Sequence, residues 1–78
     1  IKQRAYKDSK SNFQKIAQEK RGVTPRYAVL EEWGLDHAKN FKIGVFLGEE
    51  KVGEGEGVSK QDAQQQAAEN ALKKLDWN

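Results

Sequence analysis

Apolar side chains recur at helical spacing at Phe13, Ile16 and Ala17, and the pattern stops at Gly22 and Pro25. With Asp8 and Ser9 as capping residues, this spacing predicts a first helix over residues 9–20. The period then changes from helical to alternating. Across residues 26–33 the alternation sets Tyr27, Val29 and Trp33 on one face, and after the turn signal Gly34-Leu35-Asp36 a second alternating run follows at Phe41, Ile43, Val45 and Leu47. These are two expected strands. Gly48-Glu49-Glu50 reads as a turn, and residues 51–57 as a third strand, weak in propensity because Gly53, Gly55 and Gly57 interrupt it. Glycines so placed imply that another backbone comes close.

Ser59 to Asp62 matches a capping box, and the Ala, Gln, Leu and Lys that follow favour a second helix as far as Leu75. Its apolar stripe, Ala63, Ala67, Ala68, Ala71, Leu72 and Leu75, consists mostly of small side chains that let a helix lie close to a sheet. The expected fold class is α+β in the order α-β-β-β-α. A three-stranded antiparallel sheet would carry both helices on the face lined by Tyr27, Val29, Phe41, Ile43 and Val45. One domain over residues 8–78 is expected, preceded by an extension or linker remnant at 1–7, with no internal repeats.

Composition narrows the partners. At 78 residues, folding hides only about 60% of the unfolded chain's surface. With 33% charged residues and a mean hydropathy of -0.97, no apolar run approaches membrane-spanning length, so no membrane partner is expected. The absence of cysteine excludes a disulfide framework and makes a cytoplasmic location the default expectation. Residues 1–7 do not read as a signal peptide, and the missing initiator Met predicts a fragment. The net charge of +2 conceals a division: residues 1–26 hold eight basic and two acidic side chains, whereas residues 27–78 hold six and ten. That asymmetry points to an anionic partner met by the N-terminal part, or to no more than a well-solvated helix face.

Several chemistries drop out. Gly53, Gly55 and Gly57 miss the dinucleotide fingerprint, whose third glycine would fall on Val58, and the glycines before Ser59-Lys60 lack Walker A spacing. One His, no Cys and no clustered carboxylates offer neither a triad nor a metal site, so the chain is expected to be no enzyme by itself and to need no cofactor. Binding candidates remain. Lys10, Ser11, Gln14, Gln18 and Arg21 fall within an arc of about 100° on the first helix, a mixed amide and cation stripe suited to 2′-hydroxyls and phosphates. Lys60 opens the second helix, where free N–H groups favour an anion. His37, in the connection between the first two strands, is either a contact or an ordinary solvated loop residue.

Taken together, Asp36-His37-Ala38-Lys39 with Phe41, and Gly53-x-Gly55-x-Gly57-x-Ser59-Lys60-x-x-Ala63, resemble the double-stranded RNA-binding domain family over residues 8–75. Within it, Asp8-Ser9-Lys10-Ser11-Asn12-Phe13-Gln14 and the glycine-glutamate run at 53–57 look most like the C-terminal domain of bacterial ribonuclease III. The resemblance implies double-stranded RNA recognised by shape. Gln14 and Gln18 would meet one minor groove, His37 the next, and Lys60 with its neighbours the phosphates between. The implied contact set is Lys10, Ser11, Gln14, Gln18, His37, Lys39, Ser59, Lys60, Gln61 and Gln64. Gln61 and Gln64 depart from the family's basic cluster, and Lys15 stands where a glutamate is usual. The implied parent is a ribonuclease III-type endoribonuclease, with Mg²⁺ and the nuclease residues in a catalytic domain that this module would contact. Two alternatives stay open: a module of a non-nuclease protein, or protein contact through an outer-face patch of Ala28, Leu30 and Phe46.

Overall fold

In a computed structural model that describes residues 8–77, the Asp8 carboxylate accepts a hydrogen bond from the Ser11 backbone N–H at 3.3 Å and so opens α1, Ser9–Arg21. Gly22, left-handed at φ 66°, closes it by donating its N–H to the Gln18 carbonyl at 3.0 Å. The chain then runs through β1, Arg26–Leu35, β2, Ala38–Leu47, and β3, Glu50–Gly57, to α2, Lys60–Leu75. The strands form one antiparallel sheet in the order β1-β2-β3. The extension expected at 1–7 lies outside the described residues.

Register shows where simple alternation fails. Tyr27 pairs with Val45 and Val29 with Ile43, but beyond Val29 the partners become Glu31 with Lys42 and Trp33 with Asn40. Leu30 is the extra residue of a β-bulge. Residues directly opposed across a sheet share a face, and one inserted residue reverses the facing of everything after it. Trp33 therefore lies on the outer face with Asn40, away from Tyr27 and Val29, contrary to the sequence expectation, while Glu32, opposite Phe41, takes the inner face. A second irregularity, between Val45 and Phe46, leaves Val52 as the extra residue of β3, and Val52 is buried in the core. The connection between β1 and β2 is also shorter than the turn signal Gly34-Leu35-Asp36 implied. The strands continue to a two-residue tip, Asp36-His37, with Leu35 paired to Ala38.

The glycines of β3 explain how α2 sits. A Cβ built on Gly55 would lie 2.2 Å from the Ala67 nitrogen and 2.6 Å from the Ala63 carbonyl oxygen, and one on Gly53 would lie 2.9 Å from the Ala71 nitrogen. Backbone meets backbone there, with only hydrogens and alanine methyls between. Phe13 and Ala17 from α1, Val45, Leu47 and Val52 from the sheet, and Ala67, Ala68, Ala71 and Leu72 from α2 close the core. Asn70 fastens α2 at the sheet edge by donating its Nδ2 to the Glu54 carbonyl at 2.6 Å, satisfying an acceptor that edge strand β3 would otherwise leave open. At its end α2 turns through Asp76, left-handed at φ 59°. The Trp77 N–H reaches back to the Leu72 carbonyl at 2.9 Å and the Asp76 N–H to Lys73 at 3.2 Å, a Schellman motif. The Trp77 ring thereby comes within 5.7 Å of Phe13.

Candidate nucleic-acid interface

The close seat of α2 on β3 determines where its first turn points. A Cβ on Gly57 would lie 2.8 Å from the Ala63 nitrogen, so the helix starts directly over the end of the strand. Ser59 caps it, its Oγ accepting from the Asp62 N–H at 3.1 Å. That hydroxyl keeps a donor but spends acceptor capacity on the cap. Lys60 follows at the first helical position, exposed, with Nζ 5.9 Å from the centroid of the Phe41 ring, and Gln61 beside it is exposed as well. Phe41 belongs to the inner face near the β1–β2 hairpin, so the Lys60 cation lies close to the root of the arm whose tip carries His37. His37 is exposed at that tip. Lys39 stands lower on the same arm and is engaged by Glu32 at 3.2 Å, an exposed pair that leaves it less free for a phosphate.

On α1, Ser11, Gln14 and Gln18 line one open groove together with Lys15 and Glu19. Gln18 is oriented by Thr24, its Nε2 donating to the Thr24 Oγ1 at 3.1 Å. Lys10 leaves that group and crosses to α2, donating from Nζ to the Gln64 Oε1 at 2.7 Å. The candidates therefore form two adjoining clusters and one arm: the α1 groove, the α2 start with Lys10 added, and the hairpin tip.

Sequence reasoning missed Phe41 under Lys60, Glu32 against Lys39, and Gln65, whose Oε1 accepts from the Lys10 N–H at 3.1 Å and whose Nε2 donates to Asp8 at 3.3 Å. Bonds from Ser11 and Gln65 hold the Asp8 carboxyl below its usual range. Local periodicity carries no signal for which side chains meet across elements, least of all for Gln65, whose partners Lys10 and Asp8 lie 55 and 57 positions away. On the outer face, Arg26 covers Phe46 at 4.7 Å from its ring centroid, so the patch of Ala28, Leu30 and Phe46 is partly roofed by a cation. Among the described residues no three His, Cys, Asp or Glu side chains converge as metal ligands, and no helix is long and apolar enough to cross a membrane.

Known proteins are similar to this chain in sequence and in fold. Ribonuclease 3 of a Nitratiruptor species is 44% identical over 70 residues, 90% of this chain and 31% of that protein. Ribonuclease 3 of Pelotomaculum thermopropionicum is 42% identical over 73 residues, 94% of this chain and 30% of that protein. The chain thus spans a little under a third of the length of these relatives. In three dimensions it superimposes on Arabidopsis HYL1 with a TM-score of 0.74 at 31% identity, covering 87% of this chain and 96% of that one. On Dicer from Pichia stipitis the TM-score is 0.69 at 29% identity, over 85% of this chain and 32% of that one. The family model described as double-stranded RNA binding motif matches residues 9–75, from the first residue of α1 to the last of α2. With the helix, three-strand, helix order intact over that whole span, the chain belongs to the double-stranded RNA binding motif family.

Proposed function

We propose that this domain holds double-stranded RNA by shape, for a ribonuclease III-like parent enzyme that cuts it. The observation that carries the reading is the start of α2. Gly57 lets its first turn seat on β3, Ser59 caps it, and Lys60 stands where the N-terminal N–H groups and the helix dipole already favour an anion. Ser11, Gln14 and Gln18 on α1 offer donors and acceptors in one groove, the chemistry that 2′-hydroxyls and base edges in a shallow minor groove require. His37, exposed at the tip of the β1–β2 hairpin, supplies a third contact. The ribonuclease III parentage is supported by the relatives, in which a segment like this one makes up about 30% of the length.

Shape recognition has a direct test. In a gel-shift comparison the domain retards duplex RNA with little dependence on sequence and binds duplex DNA of equal length much more weakly, because B-form DNA lacks the wide minor groove and the 2′-hydroxyls. Lys60→Ala weakens RNA binding roughly fivefold or more near physiological salt, with a shallower salt dependence. Equal affinity for both duplexes would reduce the interaction to charge attraction alone.

A further inference from the structure

Lys10 begins on α1 but ends on α2. Its ammonium donates to the Gln64 Oε1 at 2.7 Å, and its backbone N–H donates to the Gln65 Oε1 at 3.1 Å. Gln65 in turn grips the α1 cap through Asp8. The Lys10 ammonium also lies 5.5 Å from the centroid of the Tyr27 ring, so the side chain is held from the helix side and the sheet side together.

The neutrality of the partner matters most. Arg21, Lys39, Lys42, Lys51 and Lys73 each pair with a glutamate carboxylate, which cancels much of their field. Lys10 makes no salt bridge among the described residues, and its charge acts on the Asp8 carboxylate only as the last of the influences that lower that carboxyl. The Gln64 carbonyl occupies one of the three ammonium N–H donors and removes none of the charge, which leaves two donors for an incoming oxygen. Gln64 also lies four positions after Lys60, one turn along the same side of α2. A cation fixed at Gln64 therefore extends the row that Lys60 begins.

We infer that Lys10 and Gln64 together form one composite phosphate-binding position: Gln64 positions the ammonium, Lys10 supplies the charge, and the cationic edge of α2 is completed from α1. This inference rests on the RNA-binding reading above. It changes the meaning of the glutamine at 64, which is a positioning residue for a cation already present. A lysine introduced at 64 would set two ammonium groups side by side, and one would have to move out.

The test uses the whole chain, a duplex RNA probe and affinity measured across a salt series, with thermal melting of each variant followed by circular dichroism. Lys10→Gln makes the log K against log salt slope shallower by roughly 0.7 to 0.9, a loss of about five- to eightfold in affinity near 0.1 M salt. The exchanged pair, Lys10→Gln with Gln64→Lys, returns slope and affinity to within about twofold of the original. Gln64→Lys alone tightens binding less than Gln61→Lys, because the Lys10 ammonium already bonds the side chain at 64. Because the exchanged pair is read directly against the unmodified chain, the comparison survives if Lys10→Gln alone melts early. If Lys10→Gln melts at a lower temperature yet keeps the original slope, or the exchanged pair does not recover, Lys10 merely fastens the helices and the inference is overturned. An unmodified chain that binds no duplex RNA at low salt removes the broader reading and this inference with it; an unmodified chain that binds, beside an indifferent Lys10→Gln, removes only the inference.

Discussion

Tyr27 holds the one buried side-chain polar atom without a hydrogen-bond partner among the described residues, its hydroxyl. Burial pushes the phenol up to about 12 from its ordinary 10.0, because the ionised form cannot be solvated there. The fold thus prefers the neutral phenol. A raised value gives a contribution that is intact below pH 10 and is lost as pH rises through about 12. Tyr27→Phe keeps the ring beside Lys10 and against the core while deleting the unpaired hydroxyl. We expect it to leave stability unchanged or raise it by about 1 kcal/mol at neutral pH. It should also remove part of the alkaline loss of stability between pH 10 and about 12, read from urea midpoints. A clear destabilisation at neutral pH would mean that the hydroxyl has a partner after all.

At the scale of elements, the contact between β3 and α2 decides where the start of α2 and the Lys10–Gln64 pair stand. A methyl group at Gly55 would meet only backbone atoms, and backbone on both sides cannot swing away as a flexible side chain does. Gly55→Ala is therefore expected to cost about 3 kcal/mol or more, a large share of the stability of a domain this size. Gly48, in the β2–β3 turn at φ 66° with nothing within 4 Å of a methyl group placed there, serves as the comparison. Gly48→Ala meets only the left-handed strain of an L-residue, roughly 1 kcal/mol. Denaturant midpoints of the two variants measure the difference, and equal losses would show that α2 can lift from the strand. Partial unfolding at Gly55 should also weaken RNA binding, since Lys60 and the Lys10–Gln64 pair depend on the same seat.

The whole domain is a plate of 39 × 37 × 17 Å, with its candidate contacts on α1, on the start of α2 and at the hairpin tip. Such a plate can straddle a helical groove, but no group of acidic side chains among its described residues is arranged to hold the metal ions that phosphodiester cleavage uses. If the domain holds RNA for a nuclease whose cutting residues belong to another part of the parent, purified chain with Mg²⁺ should bind duplex RNA and leave it intact on a denaturing gel. Cleavage that copurifies with the folded domain through successive columns would refute that division of labour.

Much of this molecule is legible in the order of its residues. Helical spacing with Asp8 and Gly22 as punctuation marks α1 to within a residue, the Ser59 cap and alanine stripe mark α2, and three glycines on one strand announce a close backbone neighbour. These are local features, written in periods of two and 3.6 residues and in residues that start or stop a helix, so no distant contact is needed to specify them. The remainder depends on how the elements meet. Alternation cannot count an inserted residue, and with Leu30 apolar on either reading, only pairing with β2 reveals the bulge that turns Trp33 outward. Val52, in a strand whose alternation reads otherwise, enters the core for the same reason. Likewise Lys10 and Gln64 stand far apart in the chain, each an ordinary polar residue of its own helix. They meet because the alanines and glycines bring α2 down onto the sheet beside α1, and close packing, which depends on every element at once, chooses which cation stands against which amide.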